Sequence, residues 1–74
     1  MPGKLRQLRA DLAREGWAID HQSGSHQIWK HTLLPGDEVN LAGSEGADAH
    51  RYQEKDVREA VARVREARRR LQLP

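Results

Sequence analysis

The sequence predicts a small α+β domain, an α-β-β-β-α two-layer sandwich in which two helices cover one face of a three-stranded antiparallel sheet. Three observations support this fold class. Apolar residues recur three and four positions apart near both ends of the chain, and they alternate with polar residues in between. Two clusters of turn residues, "SGS" at 23–25 and "LLPGDE" at 33–38, divide the alternating part into three segments. With 74 residues, the chain is long enough for one domain with a thin core.

Both predicted helices have an apolar face. The first spans residues 4–15, where Leu5, Leu8 and Leu12 form one stripe, and Gly16 follows as a stop. The second spans residues 53–71. Its apolar positions are Val57, Ala60, Val61, Val64, Ala67 and Leu71.

The three strands are predicted at residues 17–22, 27–31 and 38–42. Because side chains alternate between the faces of a sheet, one set from each strand points at the helices. We assign Trp29 to this inner set because it is the largest apolar group of its strand, which leaves His26 facing away from the helices. The other inner residues are then Trp17, Ile19, Val39 and Leu41. A loop of about ten residues, 43–52, leads into the second helix. Double-stranded RNA-binding domains use a sandwich of this kind.

Composition limits the compartment and the partners. Cysteine is absent, which excludes disulfides and cysteine-based zinc sites, and no apolar run is long enough for a signal peptide or a membrane span. We therefore expect a cytoplasmic protein that does not bind membranes. The net charge of +2 hides a segregation, because residues 37–56 carry six acids whereas both ends are basic. Such asymmetry suits phosphate binding on one surface and a protein partner on another.

Several kinds of chemistry have no support in the sequence. The four histidines form no metal-binding motif, and His26 and His31 fall on opposite faces of one extended segment, so no metal or other cofactor is expected. Ser25 lies next to His26 but not in a G-x-S-x-G elbow. The stretch "GSEGAD" has two glycines but no Walker lysine after it.

General acid–base catalysis by His26 remains open. An imidazole exchanges protons near neutral pH, and RNA carries its own nucleophile in the 2′-hydroxyl, so cleavage of RNA needs no metal. Gly24 would let a phosphate approach closely, and Lys30 lies on the same face as His26 by parity. The alternative is that His26 is a solvated residue beside a turn. The cluster Arg68–Arg70 likewise either contacts nucleic acid or complements the helix dipole.

The order of motifs resembles the HicA family of toxin endoribonucleases. The segment "LRQLRADLAREGWAIDHQSGSHQIWKH" contains an amphipathic helix, Gly16-Trp17, a strand, the turn Gly24-Ser25-His26 and a strand that ends in Lys30-His31. The stretch "GADAHRYQEKDVREAV" is similar to the entry into the second helix in one branch of that family. Where members often have His-Pro at the end of the second strand, this chain has Thr32 after His31.

The resemblance implies a fold like that of double-stranded RNA-binding domains, metal-independent cleavage of mRNA and a cognate HicB-type antitoxin. It maps the catalytic histidine of the family to His26 and the motif glycine to Gly24. Lys30 is our own candidate for a phosphate contact, and we expect the turn to present the imidazole of His26 at an open, basic sheet edge. Two other hypotheses remain: a non-catalytic RNA-binding module of the same fold, and a protein-interaction domain without RNA affinity.

Overall fold

The computed structural model describes residues 3–71 and has the predicted architecture. Its elements are α1 (Leu5–Arg14), β1 (Ala18–Ser23), β2 (His26–Lys30), β3 (Glu38–Leu41) and α2 (Arg51–Arg70). The strands form one antiparallel sheet in the order β1-β2-β3. The predicted α+β fold class is therefore confirmed. Within residues 3–71, neither helix is long and apolar enough to cross a membrane.

The core lies between the helices and one face of the sheet, which we call the inner face. The predicted orientation of β2 is confirmed, since Trp29 is buried and His26 and Lys30 are exposed. The residues that meet in the core are Leu5, Leu8 and Leu12 of α1, Val57, Ala60 and Val64 of α2, and Trp17, Trp29, Val39, Leu41 and Ala49. All eleven are apolar and come from both helices, the sheet and the segments next to them, so one continuous core holds the two layers together.

Two predicted core positions are wrong. Leu71 is 58% exposed because it follows the last turn of α2, and Ile19 is 43% exposed. Ile19 lies in β1, which is an edge strand whose six residues are all exposed. The helices pack against each other, and α2 packs against β3 at the other edge of the sheet, so β1 projects beyond their cover.

The junctions at the end of α1 and the end of β2 are built around Gly16 and His31. Gly16 has φ +94, and a Cβ atom there would lie 2.8 Å from Nε2 of His31. The His31 ring is buried; its Nδ1 accepts a hydrogen bond from the N–H of Leu33 at 3.0 Å, so Nε2 donates to the carbonyl of Glu15 at 2.8 Å. Trp17 meets the same ring edge-on at 5.5 Å. Gly16, Trp17 and His31 thus have a structural explanation.

The loop between β3 and α2 closes the N-terminal end of α1. A helix leaves its first N–H groups without partners inside the helix. Here the carbonyls of Ala47 and Glu45 accept from the N–H groups of Leu5 and Arg6 at 3.0 and 3.3 Å. The loop is therefore part of the scaffold.

Candidate functional site

The site is on the face of the sheet that the helices leave uncovered, which we call the outer face. The register of the strands decides which side chains share it, because directly paired residues lie on the same face. The outer-face residues are His26, Ile28 and Lys30 of β2, their partners Ser23, His21 and Ala18 of β1, and Glu38 and Asn40 of β3. Ile28 is half-buried among them, and the others are exposed.

A tight hairpin places His26 at the first position of β2. Ser23 pairs with His26, so Gly24 and Ser25 form a two-residue loop. Gly24 has φ +59, the value that the favoured two-residue hairpin turns require at their first position. A Cβ atom at Gly24 would meet no other atom within 4 Å, so the space beside the turn is open. The predicted close approach of a phosphate at Gly24 is sterically allowed and stays a prediction.

A chain of side-chain amides holds the hairpin from its inner side. The indole N–H of Trp29 donates to Oε1 of Gln27 at 3.2 Å, Nε2 of Gln27 donates to Gln22 at 3.2 Å, and Nε2 of Gln22 donates to the carbonyl of Gly24 at 2.9 Å. Trp29 and Gln27 are buried. The turn that carries His26 is thereby connected to the core.

The imidazole of His26 is exposed and has one side-chain partner in its neighbourhood. Its Nε2 lies 3.4 Å from Oδ1 of Asn40 on β3, a long hydrogen bond. An amide oxygen accepts only, so Nε2 carries the proton in this arrangement and Nδ1 of the neutral ring is free to accept one. Asn40 is thus the side chain that contacts the ring of His26.

Lys30 shares the outer face with His26 but lies at the other end of β2. Lys30 lies four positions after His26 along the strand, which corresponds to about 13 Å. Lys30 is paired across the sheet with Glu38 of β3. Asp20 is also exposed beside the outer face. The charge of this face is therefore mixed, and the expectation of a basic sheet edge is wrong.

An irregularity in β1 brings a second histidine to the outer face. Strict alternation from Ile19 would turn His21 toward the helices. In the structure Ile19 pairs with Trp29 and His21 pairs with Ile28, so Asp20 is an extra, bulged residue. Oδ2 of Asp20 lies 3.2 Å from Nδ1 of His21. Because the carboxylate accepts from Nδ1–H, Nε2 is the ring nitrogen of His21 that this contact leaves for other partners.

The arginine cluster at the end of α2 has partners within the protein. Arg68 donates to the carboxylate and to the carbonyl of Glu15, both at 2.8 Å. Arg69 and Arg70 both pair with Glu66, at 3.0 and 3.7 Å. These contacts favour the structural explanation of the cluster over a role in binding nucleic acid.

Sequence reasoning identified His26, Gly24 and Lys30 but missed Asn40 and His21. The alternation of β3 indicates that Asn40 faces outward, yet only the register places it beside His26. Among residues 3–71, no three or more His, Asp or Glu side chains are grouped so that they could hold one metal ion. Comparison with family models, curated proteins and solved structures gave no match, and the resemblance to the HicA family rests on the motifs quoted above.

Proposed function

We propose that this protein is an endoribonuclease toxin of the HicA type, which cleaves mRNA in the cytoplasm and is neutralised by a cognate HicB-like antitoxin. The observation that carries the proposal is the setting of His26. It is an exposed imidazole on an uncovered sheet face, fixed by a core-anchored hairpin and hydrogen-bonded to Asn40. The ordered motifs around it, which resemble that family, point to the same residue.

The reaction uses a nucleophile that the substrate supplies. His26 moves a proton while the 2′-oxygen of RNA attacks the adjacent phosphorus and the bond to the 5′-oxygen breaks, which yields a 2′,3′-cyclic phosphate and a 5′-hydroxyl. A sheet face open to solvent accommodates a single strand whose 2′-hydroxyl is free to reach the phosphorus. No cofactor is part of this proposal.

The test is to replace His26 by alanine and follow growth and RNA integrity. Without antitoxin, we expect the wild type to arrest growth and fragment mRNA, and His26→Ala to be harmless. In vitro, loss of the acid–base group lowers the cleavage rate about 10²–10⁴-fold. An oligoribonucleotide with one 2′-deoxy position serves as the substrate control, because it cannot be cut at that position by this route.

The stability of the variant separates catalysis from folding. His26 is exposed, so the free energy of unfolding should change by less than about 0.5 kcal/mol. A folded His26→Ala protein that still cleaves RNA would contradict the proposal. A wild type that binds RNA without cutting it would favour the binding-module hypothesis, and one that does not bind RNA would favour the protein-interaction hypothesis.

A further inference from the structure

His21 is a second imidazole on the outer face, and cleavage by His26 alone gives it no role. It is diagonal to His26, because His21 pairs with Ile28 and His26 lies two residues before Ile28. From that geometry we infer that His21 and His26 form a two-histidine acid–base pair for RNA cleavage. The inference rests on the proposed endoribonuclease function and names the second proton-transfer group of the same site.

The spacing of the two strand positions allows both rings to reach one phosphate. Diagonal neighbours on one face of an antiparallel pair lie about 7–8 Å apart. The attacking 2′-oxygen and the departing 5′-oxygen lie on opposite sides of the phosphorus, so the two proton-transfer groups must approach from two sides, each at a hydrogen-bond distance of about 3 Å. Ile28, half-buried between the two histidines, provides an apolar floor for the sugar.

The partners of the rings assign a role to each. His26 has a neutral partner, Asn40, whose Oδ1 lies beside Nε2, so Nδ1 is the nitrogen that we assign as the base. His21 has a carboxylate partner, Asp20, which accepts from Nδ1 at 3.2 Å and supplies the counter-charge for a cationic ring. His21 is therefore the general acid, and Asp20 is the residue that positions it.

The two histidines account for both proton transfers of the cleavage reaction. The lone pair of His26 takes the proton of the 2′-hydroxyl as the O2′–P bond forms. Protonated His21 gives its proton to the 5′-oxygen as the P–O5′ bond breaks. No oxidant, reductant or metal enters the step, and the two rings exchange protons with water before the next turnover.

The bulge in β1 explains how the fold brings His21 onto the same face as His26. Bulges are common next to active sites, where they redirect a side chain. Without the extra residue Asp20, His21 would point to the inner side of the edge strand, away from His26. One residue thus both turns His21 onto the outer face and orients its ring.

The first measurement compares His21→Gln with wild type on ordinary RNA. We expect kcat/KM to fall about 10²–10⁴-fold, as for loss of one acid–base group. The matched control is His50→Asn, which removes an exposed imidazole at the start of α2 and keeps a good N-cap residue. Wild-type activity in His21→Gln, or an equal loss in His50→Asn, would overturn the inference.

The second measurement identifies the general acid by changing the leaving group of the substrate. A substrate with sulfur in place of the 5′-oxygen releases a thiolate, which needs no proton. On this substrate His21→Gln should cleave within about tenfold of wild type, whereas His26→Ala should stay slow, because only the base is still required. A variant that had merely lost its fold would not recover. Failure to recover His21→Gln would therefore contradict the role of His21 as the acid.

The pH profile adds an independent readout. Two groups of opposite protonation state give a bell-shaped dependence of kcat/KM, and His21→Gln should retain only one limb. The charged groups that face the pair are Asp20 of β1, Lys30 of β2 and Glu38 of β3, and all three remain in the variant. If the wild type does not cleave RNA, the proposed function itself fails. If it cleaves and only His26 matters, the proposed function stands and the two-histidine pair fails.

Discussion

At the scale of single residues, the position of Lys30 limits how RNA could lie on the outer face. About 13 Å of strand separates it from His26, so we place Lys30 at a neighbouring phosphate and not at the one that is cut. Glu38, opposite Lys30, weakens the local positive field. We therefore expect Lys30 to contribute to affinity and His26 to contribute to rate.

This separation predicts the effect of Lys30→Gln. Each phosphate contact that is lost from a single strand lowers the slope of log K against log salt by about 0.7, so the variant should show that change. Binding is measured by fluorescence anisotropy in a His26→Ala background, where the RNA stays intact. Lys55→Gln is the matched control, since Lys55 is an exposed lysine of α2 on the helix side. Equal slopes for the Lys30 and Lys55 variants would remove Lys30 from the RNA contact.

The sequence predicted which face of the sheet His26 and Lys30 occupy, but it did not predict which side chains surround them. Parity placed His26 and Lys30 correctly on the outer face once Trp29 was assigned to the core. The same rule failed for His21, because Asp20 adds one residue to β1 and nothing in "WAIDHQ" marks a bulge. Asn40 was missed for a related reason: contacts between strands depend on register, which the alternation of β3 alone does not define.

At the scale of elements, the joint between α1 and β1 depends on Gly16. Its φ of +94 is strained for any residue with a Cβ atom, and such an atom would lie 2.8 Å from Nε2 of His31. The ring of His31 cannot move away without losing its hydrogen bonds to Glu15 and Leu33. A side chain at Gly16 would therefore disturb three segments at once: the end of α1, the start of β1 and the end of β2.

Gly16→Ala should therefore destabilise the protein by about 2–4 kcal/mol, combining about 1–3 for the strained φ with about 1 for a disturbed hydrogen bond. For a chain of this length, each kcal/mol lowers Tm by roughly 4–8 °C. Thermal and urea unfolding measure the change. Gly36→Ala is the matched control, because Gly36 lies in a turn with no atom within 4 Å of an added Cβ. A difference under about 0.5 kcal/mol between the two variants would argue against a structural role for Gly16.

The boundaries of the elements were predictable to within about two residues. Helix α2 begins at Arg51, two residues before the expected start, because Oε1 of Gln53 accepts from the N–H of His50 at 2.8 Å and caps the first turn. Strand β2 begins at His26 and not at Gln27, since His26 pairs with Ser23 across the turn. In both cases the deciding contact involves a polar residue that hydrophobic periodicity does not detect.

At the scale of the whole molecule, Glu15 connects the two helices at their C-terminal ends, away from the loop between β3 and α2. Its carboxylate accepts from Arg68 at 2.8 Å and from Arg65 at 3.1 Å. Burial alone would raise the pKa of Glu15, but the hydrogen bonds and charges of Arg65 and Arg68 outweigh it and hold the pKa below the ordinary value of 4.5. Folding therefore favours the ionised carboxylate, and stability becomes linked to pH through this contact.

Glu15→Gln tests that link because it keeps the shape of the side chain and removes its charge. A carboxyl whose pKa is lowered by folding stabilises the protein fully above its unfolded pKa of about 4.5, and this stabilisation is lost as pH falls through the lower folded value.

Near pH 7 we expect the Glu15→Gln variant to be less stable by about 1–2 kcal/mol. This figure is modest because Arg65 is largely exposed, so solvent screens its share of the interaction. As pH falls below 4.5 the two unfolding curves should begin to converge, and they should meet once pH has passed the lower folded pKa, where wild-type Glu15 is neutral as well. Urea unfolding from pH 7 to pH 3 measures the difference, and Glu66→Gln, which removes a half-exposed carboxylate of α2, is the control and should show a smaller one. A constant gap between wild type and Glu15→Gln at every pH would mean that the packing of Glu15, and not its charge, holds the two helices together.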